Sequence, residues 1–283
     1  MQIGKIRKNK FDPIYNIIKE DEENLKTILN LLNSLDDIIV TPGLIVYLNV
    51  EDFKQYKVYV SEIIKSQGSD FLFDVSLYRS NLIKFIMNIL TSFRTFIDII
   101  AHRIKECYIN SNEVSKYFKI WQSEMFDSKF SYRFFARFRN YVQHFGVPLD
   151  DLNINIDEFK KGNIELGIFV DKSKLMQYKE WGSIKKEIND LPEKLNIEPL
   201  ILELYSCIDY IQKGMIDYFL FERKDQIDSI ITLYQQTKIK GNDGQIAILE
   251  PDISKNQSTI YFVNVQIIEA LIRYSQSKNE KMQ

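Results

Sequence analysis

Cysteine and histidine are scarce in this chain, which has two of each among 283 residues. Cys107 and Cys207 are about a hundred residues apart in partly apolar surroundings, so we expect free buried thiols and no disulfide framework. Two histidines without a neighbouring cysteine make a poor ligand set, and we predict neither a metal site nor a cofactor. Cysteine and histidine content therefore argues against two classes of protein, disulfide-stapled scaffolds and structural zinc domains.

A long uninterrupted apolar segment is also lacking. Residues 85–101 come closest, but Arg94 and Asp98 interrupt them. The basic start, residues 1–10, leads into Phe11-Asp12-Pro13 and not into an apolar signal core. We therefore expect a soluble cytoplasmic protein with no membrane association.

Neither sign of charge dominates, since the formal net charge is -2. This balance argues against a protein that coats nucleic acid by bulk electrostatics. The arginines are nevertheless concentrated, because six of the nine lie between Arg79 and Arg139 and none lies between positions 151 and 222. Guanidinium groups match phosphate geometry, so the first of these regions is the better place to look for an anion site.

Apolar residues recur at spacings of three and four over residues 73–107, which predicts the longest helix of the chain. The predicted core stripe is Leu82, Ile86, Ile89, Phe93, Ile97, Ile100 and Ile104. Further helices are predicted at 14–36, 51–66, 111–125, 127–146, 172–190 and 197–235, with a last helix ending near residue 274. Asp127-Ser128 is the predicted cap of the 127–146 helix.

Strand-like segments at 152–156 and 164–170, separated by Lys160-Lys161-Gly162-Asn163, predict a β-hairpin over 152–171. Two further strands are predicted at 245–249 and 258–263. Thr41-Pro42-Gly43 predicts a turn, and residues 44–50 are interpreted as a strand or a linker. The predicted fold class is mainly α, a helical bundle with one or two short β-hairpins.

The segment Arg139-Asn140-Tyr141-Val142-Gln143-His144 sets a fixed cation and a titratable imidazole a few residues apart. On an ideal helix, Arg133, Arg137, Asn140 and His144 fall within about 60° of one another. A separate apolar arc contains Phe134, Phe138, Tyr141 and Phe145. Arg139 lies about 140° from His144, so the two converge only if the long side chain curls back or a second copy completes the site.

This segment resembles the signature of the HEPN superfamily, in which Arg, four to six residues and then His mark the ribonuclease members, and Asn is favoured after the Arg. The specific resemblance covers about residues 72–146. It implies a HEPN-like helical bundle, a homodimer whose motif helices form a shared cleft, and metal-independent RNA cleavage through attack by the 2′-hydroxyl. We expect one domain over 1–283, with a helical extension to about residue 66, core and motif helices at 72–146, and the hairpin and C-terminal helices at 152–171 and 172–277.

By chemical role, His144 would be the general acid or base, Arg139 would stabilise charge on the phosphoryl oxygens, and Asn140 would orient the imidazole or a substrate oxygen. The remaining substrate contacts would come from neighbouring side chains, with Arg133 and Arg137 on flanking phosphates and Tyr132 or Tyr141 stacked on a base.

On the 73–107 helix, Arg94, Asp98 and His102 are spaced four residues apart. They are most simply an intrahelical charge ladder, with a second possibility that they support the motif helix; a metal site is the weakest interpretation.

The leading prediction is an endoribonuclease of the toxin or phage-defence type, with RNA as substrate and an antitoxin or regulatory protein as a further partner. The alternative is a catalytically silent helical module that binds a protein partner, a nucleotide or RNA. HEPN toxins that are silenced by nucleotide transfer carry a tyrosine two residues after the histidine. This chain has Gly146 at that position, which puts this mode of control in doubt.

Overall fold

The computed structural model describes residues 2–7, 10–16, 19–67, 75–149, 167–239, 245–252, 257–262, 268–269 and 272–273. The described part of the chain is mainly α-helical, as predicted. In chain order the elements are β1 (Gln2–Arg7), β2 (Lys10–Asn16), α1 (Lys19–Leu35), a π-helical stretch (Asp36–Val40), α2 (Thr41–Gln67), α3 (Val75–Cys107), α4 (Ser111–Ser128), α5 (Phe130–Phe145), β3 (Phe169–Asp171), α6 (Lys172–Leu175), a 3-10 turn (Gly182–Ile184), α7 (Lys185–Asn189), β4 (Lys194–Asn196), α8 (Glu198–Glu222), α9 (Lys224–Ile239), β5 (Gln245–Asp252) and β6 (Gln257–Phe262).

The chain divides into two compact units, and the single domain expected over residues 1–283 stays a prediction. One unit comprises Met1–Asp37, Lys105–Ile109 and Ile216–Gln283, and the other comprises Ile38–Ile104 and Asn110–Met215. The N-terminal segment therefore groups with the C-terminal segment. The physical reason is strand pairing between the two ends of the chain, because β1 pairs with β5.

The first unit contains a four-stranded antiparallel sheet with the strand order β2-β1-β5-β6. It consists of two β-hairpins, β1 with β2 and β5 with β6, and Gln2 lies opposite Leu249 where the hairpins meet. The strands predicted at 245–249 and 258–263 are confirmed. β1 and β2 were not predicted, and α1 begins at Lys19, later than the helix predicted from residue 14.

Pro42 and Gly43 lie within the first turn of α2, so the turn predicted at these positions is wrong. Proline lacks an amide hydrogen and interrupts the helical hydrogen-bond ladder, and the chain is π-helical immediately before it. The side-chain amide of Gln212 donates to the main-chain oxygens of Ile39 and Val40 at 3.0 and 3.2 Å. A Cβ atom on Gly43 would lie 2.5 Å from the Gln212 amide nitrogen, so glycine makes room for this contact.

Residues 44–50 are helical as part of α2, and their interpretation as a strand or a linker is wrong. As a result, the helical stretch Leu29–Ile63 is long and apolar enough to cross a membrane by length and composition. Core helices of soluble proteins meet the same criterion. The cytoplasmic location therefore stays a prediction.

The core of the second unit contains the stripe predicted on α3, all of whose members are buried: Leu82, Ile86, Ile89, Phe93, Ile97, Ile100 and Ile104. Helix α2 packs against α3 through ring contacts, with Phe53 and Phe85 at 6.1 Å between centroids. The apolar spacing of the 197–235 segment predicts a second core stripe at Leu200, Leu204, Ile208, Ile211, Met215 and Tyr218; the middle four are buried, whereas Leu200 and Tyr218 are half-buried. Periodic apolar spacing was therefore a sound guide to the core.

Most of the predicted β-hairpin at 152–171 lies outside the described residues. Its described end, β3, pairs antiparallel with β4, and the carboxylate of Asp171 accepts hydrogen bonds from the Ser173 amide and hydroxyl at 2.7 and 2.6 Å. The helix predicted at 172–190 is divided into α6, the 3-10 turn and α7. The helix predicted at 197–235 is divided at Arg223 into α8 and α9.

The two cysteines are free and buried, as predicted. Burial raises the pKa of the Cys207 thiol to about 11, and the nearby Glu203 carboxylate acts in the same direction. The neutral thiol is therefore the stable form at physiological pH.

Candidate active site on helix α5

The junction between α4 and α5 differs from the prediction. Lys129 is extended, with φ -119° and ψ 114°, and it separates the two helices. Ser128 belongs to the last turn of α4, where its hydroxyl donates to the main-chain oxygen of Glu124 at 2.5 Å. The predicted cap at Asp127-Ser128 is therefore wrong, and no side chain caps the start of α5.

Arg133 fixes this junction. Its guanidinium donates to the main-chain oxygens of Phe126 and Asp127 at 2.5 and 2.9 Å, both in the last turn of α4. It also forms an ion pair with Glu187 at 2.7 Å, and its side chain is only 15% exposed. Binding of a phosphate, the role predicted for Arg133, would require it to give up these contacts.

The apolar side of α5 is buried in an aromatic cluster. Phe134 stacks on Phe138 with ring centroids 5.0 Å apart, and Trp181 stacks on Phe134 at 5.8 Å. The Trp181 indole nitrogen donates to the main-chain oxygen of Leu175 at 2.7 Å, so its polar group is satisfied in the core. The phenylalanine-rich stretch is interpreted from the sequence as core or dimer interface, and the structure buries Phe134, Phe135 and Phe138 in the core, with Phe130 half-buried.

Tyr141 belongs to the same cluster and is 2% exposed. Its ring stacks on Phe138 and on Trp181, and its hydroxyl donates to the main-chain oxygen of Lys174 at 3.3 Å. Burial raises the pKa of this hydroxyl above its usual value. The stacking of a base on Tyr141, as predicted, is incompatible with this burial; Tyr132 is buried too.

Four polar residues of α5 lie outside its apolar arc, and we name them the α5 seam: Arg137, Arg139, Asn140 and His144. Arg137 and His144 are exposed, and Arg139 and Asn140 are half-buried. In the described part of the chain, none of these four side chains takes part in a hydrogen bond or an ion pair. Because α5 contains three arginines and no acidic residue, the seam presents positive charge that its own helix does not neutralise.

The direction of each seam residue follows from the regular helix. Helix α5 is α-helical up to Phe145, and Gly146 ends it with a positive φ of 75°. Asn140 and His144 are one turn apart with Cβ atoms about 5–6 Å from each other. Arg137 lies within about 20° of His144, whereas Arg139 points about 140° away. One chain thus brings together Arg137, Asn140 and His144, and it directs Arg139 elsewhere.

Arg94, Asp98 and His102, named the α3 ladder, are joined within their own helix. Arg94 Nε contacts Asp98 Oδ2 at 2.8 Å, and His102 Nδ1 donates to the Asp98 main-chain oxygen at 2.8 Å. The Arg94–Asp98 step of the predicted charge ladder is confirmed, whereas His102 contacts a main-chain oxygen and not the Asp98 carboxylate. Within the described residues, no group of three or more His, Cys, Asp or Glu side chains could hold a metal ion.

The α3 ladder does not reach His144. Helices α3 and α5 run antiparallel, because Phe93 contacts Tyr132 near the start of α5 and Arg79 donates to the Leu149 oxygen just past its end. The ladder therefore begins beside the first turn of α5. His144 follows twelve residues later, about 18 Å along the helix. Arg94 nevertheless acts on the motif helix, because burial raises the pKa of the Tyr132 hydroxyl and the charge of Arg94 lowers it against this larger effect. Support of the motif helix by the ladder therefore stays a prediction.

The structure adds side chains that the sequence did not single out. Phe145, assigned to the apolar arc, is 54% exposed and lies directly after His144. Gln143, also exposed, lies on the seam side of α5. Tyr178 and Trp181 belong to the helix predicted over 172–190, and they lie where the structure interrupts it, between α6 and the 3-10 turn. One sequence feature could have indicated that Phe145 is exposed. It is the last helical residue before a glycine, and an apolar side chain at the end of a helix has fewer neighbours to pack against.

No family model, curated protein or solved structure matches this chain. The α5 seam and its surroundings therefore carry the functional argument.

Proposed function

We propose that this chain is a metal-independent endoribonuclease of the toxin or phage-defence type, with a HEPN-like motif on α5 and a homodimer as its active form. The observation that carries the proposal is the α5 seam. Its two arginines, amide and imidazole have no hydrogen-bond or ion-pair partner among the described residues, on a helix without acidic side chains. Polar groups of this kind on a firmly packed helix are suited to binding and positioning a phosphate.

In the proposed reaction, the 2′-oxygen of RNA attacks the adjacent phosphorus as its proton is removed. The bond from phosphorus to the 5′-oxygen breaks, the leaving oxygen takes up a proton, and the products are a 2′,3′-cyclic phosphate and a 5′-hydroxyl end. His144 carries out proton transfer, because histidine changes charge near neutral pH. Asn140, one turn before it, orients the imidazole, and the guanidinium fork of Arg139 stabilises charge on the phosphoryl oxygens.

A second copy of the chain is part of the proposal because Arg139 and His144 diverge on α5. Two motif helices at a two-fold interface would bring Arg139 of one protomer towards His144 of the other. A monomer by light scattering at micromolar concentration, together with full activity, would contradict the shared site.

The test compares the only two histidines of the chain. Purified wild-type protein, His144→Ala and His102→Ala are incubated with labelled RNA, and initial cleavage rates are measured. His144→Ala is expected to lower the rate by roughly 10²- to 10⁴-fold, because the proton-transfer group is lost. His102→Ala, which alters the α3 ladder about two turns beyond Arg94, is expected to cleave like the wild type.

Two further outcomes decide against the proposal. Cleavage that survives in His144→Ala belongs to a contaminant or to another site. Absence of cleavage in the wild type, with a lowered melting temperature in His144→Ala, means that the imidazole is structural and favours a silent binding module. Excess EDTA should leave the rate unchanged, and loss of activity that a divalent ion restores would overturn the assigned roles.

A further inference from the structure

Phe145 is an aromatic side chain in an unusual setting at the end of α5. Single exposed apolar residues are common on protein surfaces and by themselves indicate nothing. Phe145, however, is 54% exposed and immediately follows His144. Its ring lies in the same turn as the proposed proton-transfer group.

The ring is held in a fixed orientation by its neighbours. It stacks on Tyr141 with centroids 5.2 Å apart and planes 15° apart, and it meets Tyr178 in an edge contact at 5.8 Å. Tyr141 is itself fixed by stacking on Phe138 and Trp181 in the core. Because Tyr141 covers one side of the ring, the exposed part of Phe145 lies away from it. The result is a preoriented aromatic surface that loses little freedom when a planar group stacks on it.

The charges around this surface indicate the kind of ligand. Arg137 and His144 lie on the adjoining side of α5, and no residue of α5 is acidic. Arg137 also lies close enough to interact electrostatically with Tyr178, whose hydroxyl donates to Glu180 at 3.2 Å. A planar apolar surface beside an arginine that makes no hydrogen bond or ion pair among the described residues matches a nucleobase joined to its phosphate. An apolar peptide would leave the Arg137 guanidinium without an anion.

We propose that Phe145 is the stacking platform for an unpaired base of single-stranded RNA, next to the phosphate on which His144 acts. This inference rests on the proposed function and assigns to that site its substrate class. Bases in a duplex are already stacked and paired, so the platform selects loops and single strands. The role predicted for Tyr141 thus belongs to the residue one turn later, and Tyr141 is its support.

The test measures binding without cleavage. A fluorescently labelled single strand with 2′-O-methyl groups, which lacks the attacking hydroxyl, is titrated with protein, and anisotropy gives Kd; the same strand in a duplex is the comparison. Phe145→Leu is expected to raise Kd for the single strand by roughly five- to 100-fold and to leave duplex binding unchanged. Phe145→Trp is expected to retain single-strand binding, since stacking needs an aromatic ring and not phenylalanine itself.

Phe221→Leu is the matched control, because it makes the same change at a phenylalanine on α8 that is 80% exposed. It should bind as the wild type does. Circular dichroism melting identifies any variant that fails to fold. If Phe145→Leu does not fold, Phe145→Trp decides alone, because quenching of a 2-aminopurine base at the stacked position shows whether the base stacks on the ring at position 145.

Failure of the stacking platform and failure of the proposed nuclease give different results. Equal single-strand affinity in Phe145→Leu and the wild type, or equal loss of single-strand and duplex binding, overturns the platform even if His144-dependent cleavage is observed. Wild-type protein that shows no preference for single strands overturns it as well. A Phe145-dependent preference without any cleavage keeps the platform and removes the nuclease.

Discussion

The α3 ladder and the α5 seam use the same kinds of residue in opposite ways. In the ladder, the Asp98 carboxylate pairs with Arg94 and the Asp98 main-chain oxygen accepts from His102, at 2.8 Å to each. In the seam, no side chain has a hydrogen-bond or ion-pair partner among the described residues, and α5 has no acidic residue to pair with its arginines. The side chains of the ladder find their hydrogen-bond partners within one helix, whereas those of the seam would find theirs in a bound anion. Residue type alone therefore does not identify a site, and the partners of each side chain must be known.

An arginine of the seam and an arginine of the ladder should respond differently when each is replaced by lysine. Arg139→Lys is expected to lower kcat/KM for RNA cleavage by roughly 10²- to 10³-fold, because lysine keeps the charge but loses the fork that contacts two phosphoryl oxygens. Arg94→Lys changes the ladder in the same chemical way and should leave kcat/KM unchanged. Steady-state kinetics on one RNA substrate measures both. Equal rates for Arg139→Lys and the wild type would show that a point charge suffices.

A second substitution separates structural arginines from seam arginines. Arg133→Ala removes hydrogen bonds to Phe126 and Asp127 and the ion pair with Glu187, and should destabilise the fold by about 1–3 kcal/mol. Thermal unfolding followed by circular dichroism should show a melting temperature several degrees below that of the wild type. Arg137→Ala, which loses no such contact, is the control. An unchanged melting temperature in Arg133→Ala would leave this residue free to bind phosphate, as the sequence predicted.

The third prediction concerns salt. If Arg137 contacts a phosphate of a single strand, Arg137→Ala should weaken binding and reduce the slope of log Kd against log salt by about 0.7. Arg94→Ala should change neither value, because Arg94 is already paired with Asp98. Titrations at several salt concentrations with uncleavable RNA measure the slopes. Matching slopes in all three proteins would remove Arg137 from the binding surface.

The weakest of these effects is expected at Asp171, in the segment that contacts the C-terminal end of α5. The Ser173 hydroxyl holds the pKa of Asp171 below its usual value, although partial burial acts in the opposite direction. A depressed carboxylate pKa contributes stability above the pKa of the unfolded chain, and this stability is lost as pH falls through the lower folded value. The difference in melting temperature between wild type and Asp171→Asn should therefore shrink as pH falls from about 7 to about 3. A difference that does not depend on pH would show that the carboxylate charge contributes nothing.

Local patterns predicted the helices of this protein well and predicted long-range contacts poorly. The stripe from Leu82 to Ile104 was correct because burial of one helix face leaves a repeat in the sequence. The turn expected at Pro42-Gly43 was wrong because Gln212, far away in sequence, supplies hydrogen bonds where proline interrupts the helix. β1 was missed for a similar reason, since its partner β5 lies at the other end of the chain.

For the candidate site, helix spacing correctly grouped Arg137, Asn140 and His144 on one side of α5. It could not show that Arg133 donates hydrogen bonds to main-chain oxygens at the end of α4. The bend at Lys129 brings those oxygens within reach, and this bend has no sequence signature. Nor could it show that Tyr141 is covered and Phe145 is not. That difference depends on Trp181, which lies where the helix predicted over 172–190 is interrupted.

The stacked position of Trp181 also makes the protein its own optical probe. The chain has only two tryptophans, and Trp181 is fully buried among aromatic rings while Trp121 on α4 is half-exposed and packs against Gly214. Trp121→Phe would leave a single tryptophan two ring contacts away from Phe145, through Tyr141 or Tyr178. Its emission wavelength would then report, without any label, whether an event at the end of α5 loosens the rings beneath it.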